Sequence, residues 1–178
     1  MSTTPSHGHE PFFLMEPGTL AKFKEWIEEE EVGWGTLEVL SLERGPALSR
    51  VVVEQADSRG DRYRYHVIQT TEGVAAEIYG ENDLVVHDWI WRFPLEERSW
   101  TEDVEGMTVS YQLYRLPDPV KLPAGSFENC WRLTTVTPQG TSAHTYHPSL
   151  GLILSEFSDA QGTPGRRELY ELERKASS

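Results

Sequence analysis

Apolar and polar residues alternate over short stretches of the chain from about residue 35 to residue 174. Gly, Pro, Asp and Asn interrupt these stretches at short intervals, which is typical of successive β-strands joined by turns. The predicted strands span residues 35–42, 48–55, 63–71, 74–79, 85–93, 108–116, 127–136, 141–146, 151–157 and 167–174. The short turns favour hairpins between antiparallel neighbours, because a parallel crossover needs a longer connection.

Residues 20–31 fit either a strand or one short N-terminal helix. Leu20, Phe23 and Ile27 have helical spacing, and Thr19 could cap a first turn. Four consecutive carboxylates at Glu28–Glu31 would lie at the carboxyl end of that helix, where the helix dipole disfavours negative charge. The chain is therefore predicted to be all-β, with a disordered tail at residues 1–10 and a single β domain at residues 11–175.

Length and charge narrow the classes of partner. A chain of 178 residues is the size of one ordinary domain. Its formal net charge of −13 repels polyanions, so nucleic acid is excluded as a partner. A small apolar molecule or a basic protein fits this charge better. The oligomeric state is not predicted.

The location and the cofactors are predicted from what the sequence lacks. The polar segment 1–10 has no charged region followed by an apolar run, and this predicts a cytoplasmic protein. Every apolar run is too short to insert across a bilayer, and the lone Cys130 has no partner for a disulfide within the chain. Nucleotide-binding loops and zinc-protease motifs do not occur, so we expect no cofactor and no metal.

Three short segments in the second half of the chain carry Pro, Gly and aromatic residues at characteristic spacing. Their shared residues are Pro94, Leu95 and Trp100, then Pro123, Ala124, Gly125 and Phe127, then Tyr146, Pro148, Gly151 and Leu152. In this order the segments resemble a bacterial β-rich domain of unknown function, similar to the lipoprotein-carrier class. That resemblance implies a single curved antiparallel sheet or a half-open β-barrel around an apolar groove, and it implies export.

Two positions depart from this pattern. Glu97 and Ser149 stand where the pattern has glycine. Because glycine enters positive φ freely, both turns are expected to differ in backbone shape from those of the resembling domains.

The best candidate for a binding site is an aromatic strand. In residues 85–93, His87, Trp89 and Trp91 occupy alternate positions, which would place them on one face of a sheet. Tyr111, Trp131 and Tyr146 on other strands could join that face. We expect a non-enzymatic protein with an aromatic-lined apolar cavity for a small hydrophobic ligand. The competing interpretation is that these rings only fill the core.

Two other functions stay open. Exposed carboxylates at Glu28–Glu31 and in residues 96–105 could attract a basic protein, as in an immunity-type interaction protein. A cofactor-free enzyme of a small β-barrel could use His87 or a buried carboxyl group. In an extended strand, His144 and His147 would point to opposite faces, which argues against a shared metal ion.

Overall fold

The described part of the chain consists of strands joined by turns and loops. The computed structural model describes residues 16–79, 85–92 and 95–174, with the backbone alone for 78–79 and 85–91. The strands are β1 (Thr19–Ile27), β2 (Glu30–Arg44), β3 (Ser49–Asp57), β4 (Arg62–Gln69), β5 (Gly73–Tyr79), β6 (Val85–Arg92), β7 (Arg98–Val104), β8 (Met107–Arg115), β9 (Val120–Leu122), β10 (Gly125–Phe127), β11 (Trp131–Thr137), β12 (Gly140–His147), β13 (Gly151–Asp159) and β14 (Pro164–Arg174). The prediction of an all-β protein is confirmed.

The choice left open for residues 20–31 is decided in favour of a strand. This segment forms nearly all of β1, a turn and the start of β2. The turn follows Ile27, and Glu28 there adopts a φ of 57°. A helix that could cross a membrane is absent from the residues described. The predicted tail at 1–10 lies outside the described residues.

Twelve of the strands form one antiparallel sheet in the order β6-β5-β4-β3-β2-β1-β14-β13-β12-β11-β8-β7. Two meanders, one from each half of the chain, meet where β1 pairs with β14. Strands β6 and β7 lie at the two edges and do not pair with each other, so in the described chain the sheet is not closed into a barrel. The short hairpin of β9 and β10 is separate.

The sheet has one apolar and one charged face. On β1, Ala21 and Phe23 are buried on the face that we call the inner face, where Leu37 and Leu169 are among their register partners. Fully buried side chains on this face include Val39, Val51, Val53, Val67, Ile153 and Leu169. The opposite face, which we call the outer face, begins with Lys22, paired with Glu171 and Glu173.

The sheet is strongly curved toward its inner face. The turn after β4 and the turn between β12 and β13 line the same cavity. Along the sheet, β4 and β13 are separated by β3, β2, β1 and β14, which places them about 24 Å apart at the usual strand spacing. The two turns can share a cavity because the sheet bends between them. The predicted curved antiparallel sheet is therefore confirmed.

Register shifts accompany this curvature. They occur between Lys22 and Phe23, between Val39 and Ser41, and between Thr145 and Tyr146. A β-bulge bends its strand and increases the local twist. These shifts provide a local cause for the bend of an otherwise regular antiparallel sheet.

The hairpin of β9 and β10 contains the second of the three sequence segments. Phe127 and Cys130 are buried, and Val120, Leu122 and Ala124 pack against the main core. The strand predicted at 127–136 was too long: β11 begins at Trp131, because Phe127 pairs with Val120 and Asn129 adopts a φ of 59°. Strand β7 was missed by the sequence analysis.

The departures at Glu97 and Ser149 do not require unusual backbone geometry. Neither residue has a positive φ, whereas Gly151 in the third segment has a φ of 75°. The Ser149 amide donates a hydrogen bond to His147 Nδ1 at 3.2 Å. The turn therefore uses its glycine at Gly151 and accepts serine at 149.

Candidate functional site

A cavity of about 320 Å³ lies at one end of the curved sheet. Its lining comes from the starts of β1 and β3, the ends of β2, β4 and β14, and the turns that follow β2, β4 and β12. Leu42, Leu48, Leu150 and Leu172 supply an apolar wall. The cavity thus gathers segments from both halves of the chain.

Charged groups line the cavity beside this apolar wall. Arg44 and Arg174 both line it, and Arg174 Nη2 lies 3.0 Å from Glu16 Oε2. Arg174 and Glu16 are both well exposed, so their ion pair holds little energy and can open. The site combines apolar walls with cationic side chains at its solvent side, an arrangement that suits a small hydrophobic molecule with or without a polar end.

The third sequence segment contributes directly to this cavity. Ser149 and Leu150 in the turn between β12 and β13 are part of its lining. The Pro and Gly residues of this segment indicate turn formation and do not by themselves indicate a binding site. The available signal was a leucine at the tip of a turn, a position that is usually polar.

Three of the predicted site residues lie on the inner face of the second half of the sheet. Trp131 is directly opposite Tyr146, and Tyr111 is opposite Thr135, four residues along β11 from Trp131. Tyr111 stacks on Trp100 with ring centroids 5.0 Å apart. Burial raises the pKa of Tyr146 to about 12. None of these three predicted residues is part of the described cavity lining, and their role in ligand binding stays a prediction.

The side chains of His87, Trp89 and Trp91 lie outside the described residues. Their backbone positions in β6 are described, and Trp91 pairs with Val74 while Trp89 pairs with Ala75. The register shifts by one residue between these two pairs. That His87, Trp89 and Trp91 share one face stays a prediction.

A row of polar residues crosses the otherwise apolar inner face. Register pairs connect His144 to Ser155, Ser155 to Arg167, and Arg167 to Glu25. His144 Nδ1 lies 3.1 Å from Ser155 Oγ. Burial lowers the pKa of His144, so its imidazole is held neutral at physiological pH. This row was not predicted, because its members are distant in sequence.

The outer face holds its buried carboxylates in ion pairs. Glu54 lies 2.7 Å from Arg62 and 2.8 Å from Arg64. Glu77 lies 3.1 Å from Arg50 and 3.4 Å from His66. Burial raises the pKa of Glu77, but Arg50 and His66 outweigh it, so the pKa falls below its ordinary value.

A second, more open cavity of about 460 Å³ lies beside the hairpin of β9 and β10. It is lined by Glu97, Arg115, Leu116, Asp118 and Glu128 among others. Clusters of three or more His, Cys, Asp or Glu that could hold a metal ion do not occur among the residues described. Cys130 is buried nearby, and desolvation raises its pKa to about 11, which keeps the thiol unreactive.

The fold is similar to two solved bacterial structures. A predicted lipoprotein from Parabacteroides distasonis has a TM-score of 0.59 and 15% identity, and the match covers 92% of this chain and 99% of that one. A predicted exported protein with a YmcC-like fold from Bacteroides fragilis has a TM-score of 0.59 and 11% identity, covering 93% and 100%. At such identities the likeness establishes a shared fold.

A third solved structure and the comparisons with family models and curated proteins do not extend this result. A β-barrel-like domain of unknown function from Brucella abortus aligns over 92% of this chain at 9% identity, but its TM-score of 0.37 is too low to support an argument. No family model matches the chain, and no curated protein matches it significantly.

These neighbours correct the predicted location. The sequence analysis expected a cytoplasmic protein from the composition of residues 1–10. Of the two proteins with a TM-score of 0.59, one is named as a lipoprotein and the other as an exported protein. The cytoplasmic prediction is therefore wrong. It treated the polar composition of one short segment as if it determined location.

Proposed function

We propose that this protein is a non-enzymatic binding protein that holds a small hydrophobic ligand in the cavity at the end of its curved sheet. The observation that carries this proposal is the cavity itself, about 320 Å³ with Leu42, Leu48, Leu150 and Leu172 in its wall. Its volume is at the lower end of the range of small-molecule sites, roughly 300–1,000 Å³. A ligand of modest size would be enclosed there.

The chemistry of the cavity favours binding over catalysis. The residues that line it are mainly leucines, small polar side chains and two arginines. Among the described lining residues, Glu16 is the only carboxylate, and it is exposed and paired with Arg174. A general acid or base needs a pKa near the working pH, which usually requires burial or a charged neighbour that shifts it.

The fold neighbours support a place of action outside the cytoplasm. One of the two similar structures belongs to a protein named as a lipoprotein and the other to a protein named as exported. The three sequence segments resemble the lipoprotein-carrier class, and one of them contributes Ser149 and Leu150 to the cavity. We propose that the protein binds its ligand after export, in the manner of a small hydrophobic-ligand carrier.

A neutral fluorescent probe tests this function. N-phenyl-1-naphthylamine should bind the intact chain saturably, with increased emission. Leu150→Asp should weaken that binding about tenfold or more, because a carboxylate in the cavity wall must be desolvated when the probe enters. Val32→Asp is the matched control, since Val32 is exposed in β2 at the other end of the sheet.

Each outcome of the probe-binding experiment either supports or overturns the proposed function. Saturable binding that is lost in Leu150→Asp and kept in Val32→Asp supports the proposal. Absence of saturable binding to the intact chain, or equal binding by the intact chain and Leu150→Asp, overturns it. Circular dichroism of both variants confirms that the sheet is retained.

A further inference from the structure

Arg167 is a part-buried cation on the inner face, with its side chain 24% exposed and one hydrogen-bond donor unused. Its Nε is shielded from solvent and makes no hydrogen bond within the described residues. The guanidinium Cζ lies 4.2 Å from the centroid of the Phe23 ring. A buried donor without an acceptor costs free energy, so an acceptor supplied from outside would be bound favourably.

The nearest carboxylate only partly satisfies this cation. Glu25 Oε1 is 3.7 Å from Arg167 Nε, which is beyond hydrogen-bonding distance, and the Glu25 side chain is 45% exposed. Burial lowers the pKa of Arg167, and Glu25 acts against that shift. Arginine nevertheless stays charged at any physiological pH. The pair is loose enough for Glu25 to move into solvent when another anion arrives.

The guanidinium packs closely against the backbone of β2. Gly35 on β2 faces it, and a Cβ atom at that position would lie 3.2 Å from Arg167 Nη2 and 3.5 Å from the Ala56 carbonyl oxygen. Glycine at this point in a strand indicates a close approach by another group. Here that group is the guanidinium of Arg167.

Aromatic rings near this cation are open to solvent. Tyr63, near the start of β4, and Phe157, near the end of β13, are 52% and 48% exposed and lie at the end of the sheet away from the cavity. Tyr63 stacks on Tyr65 with centroids 5.9 Å apart, and both tyrosines are close enough to act electrostatically on Arg167. His144 is neutral, so it does not add a second cation.

We propose that Arg167 binds the carboxylate of a small aromatic or apolar carboxylic acid, whose apolar body lies against Tyr63 and Phe157. A guanidinium and a carboxylate match in shape and can form two parallel hydrogen bonds. Neighbouring rings bury the apolar part of such a molecule. The site takes one class of ligand, an amphipathic monocarboxylate.

This second site is separate from the cavity of the proposed function. Thr19 lines that cavity, whereas Glu25 pairs with Arg167, and six residues of β1 span about 20 Å. Between them, Ala21 and Phe23 are buried in the packed core. The two sites therefore open at opposite ends of the sheet.

Nuclear magnetic resonance of the ¹⁵N-labelled full chain tests the proposal. The Nε–Hε signal of Arg167 is the direct readout, and benzoate is the probe. Benzoate should shift this signal saturably. Benzyl alcohol, which lacks the charge, and inorganic phosphate, which lacks the ring, should each bind at least about tenfold more weakly.

Variants distinguish Arg167 from general surface charge. Arg167→Gln should weaken benzoate binding about tenfold or more, and Arg167→Lys should weaken it too, because lysine lacks the planar fork. Arg166→Gln is the matched control: Arg166, the preceding residue, lies on the outer face, with its Nε 3.5 Å from Glu168. Glu25→Gln should strengthen binding by removing the competing carboxylate.

Three results would contradict the proposed carboxylate site at Arg167. No saturable shift with benzoate, binding of phosphate as tight as that of benzoate, or unchanged binding in both Arg167 variants overturns the proposal. If Arg167→Gln fails to fold, Arg167→Lys and Glu25→Gln decide the question. The Leu150→Asp substitution changes only the cavity, so this variant should bind benzoate as tightly as the intact chain. Loss of ligand binding in the cavity can therefore be distinguished from loss of benzoate binding at Arg167.

Discussion

The inner and outer faces of the same strands bury their side chains by different means. On the inner face, valine, leucine and isoleucine pack at close to zero exposure. On the outer face, Glu54 and Glu77 are 8% and 6% exposed, but each lies within 3.4 Å of two cationic or titratable partners. Arg167 on the inner face lacks comparable partners. A charged side chain whose ion pairs are complete stabilises the fold. A charged side chain with incomplete ion pairs on an apolar face is a candidate for ligand binding.

The first test of this comparison removes packing from each face in turn. Leu169→Ala, at 1% exposure on the inner face, should lower the free energy of unfolding by about 2–5 kcal/mol through lost burial and a cavity. Val136→Ala on the outer face, at 50% exposure, should change it by less than about 0.5 kcal/mol. Urea unfolding measures both. Similar losses would mean that the two faces do not differ in packing.

The second test measures the coupling energy between Arg167 and the aromatic ring of Phe23. A double-mutant cycle of Phe23→Leu and Arg167→Gln should give a coupling energy of about 0.5–2 kcal/mol, from the cation–π contact. The same cycle with Arg166→Gln should give a value near zero, because Arg166 lies over Trp26. Equal coupling in the two cycles would contradict the assignment of Arg167 to the inner face.

The third and smallest effect is a dependence of stability on pH. Burial lowers the pKa of His144 below 6.5, so the unfolded state takes up its proton first as the pH falls. Stability present above pH 6.5 is therefore lost as the pH falls through the folded pKa of His144. His147, whose pKa is also lowered by burial, contributes in the same window.

The outer face should lose stability at lower pH. The pKa of Glu54 is lowered by its hydrogen bond to Arg64, and that of Glu77 is below 4.5 as well. Their stabilisation is complete above 4.5 and is lost as the pH falls through their folded pKa values. Unfolding measured from pH 8 to pH 3 should show both windows. His144→Gln should reduce the pH dependence of stability only in the upper window, and Glu54→Gln should reduce it only in the lower window.

Much of the fold could be predicted because strand formation is a local property. Alternation along residues 48–55 and 63–71 identified β3 and β4 within a few residues. Strand β7 was missed because Arg98–Val104 is almost wholly exposed and shows no apolar alternation. The hairpin of β9 and β10 was missed because each of its strands has three residues.

The candidate sites could not be predicted to the same degree. The predicted aromatic face used residues that alternate along single strands, which is a local pattern. The cavity instead collects turn residues such as Leu48 and Leu150, which are about a hundred positions apart. A one-residue bulge changes the face to which a side chain points, and it leaves no clear pattern in the sequence.

The amino-acid sequence by itself determined that this protein is built of antiparallel strands, because apolar alternation and short turns are both local properties. The tertiary structure alone decided which residues share a cavity and which charges find partners. Curvature brings the turn after β4 beside the turn after β12, and pairing of β1 with β14 places Arg167 between Glu25 and Ser155. These contacts depend on long-range register and bending, which local alternation does not specify.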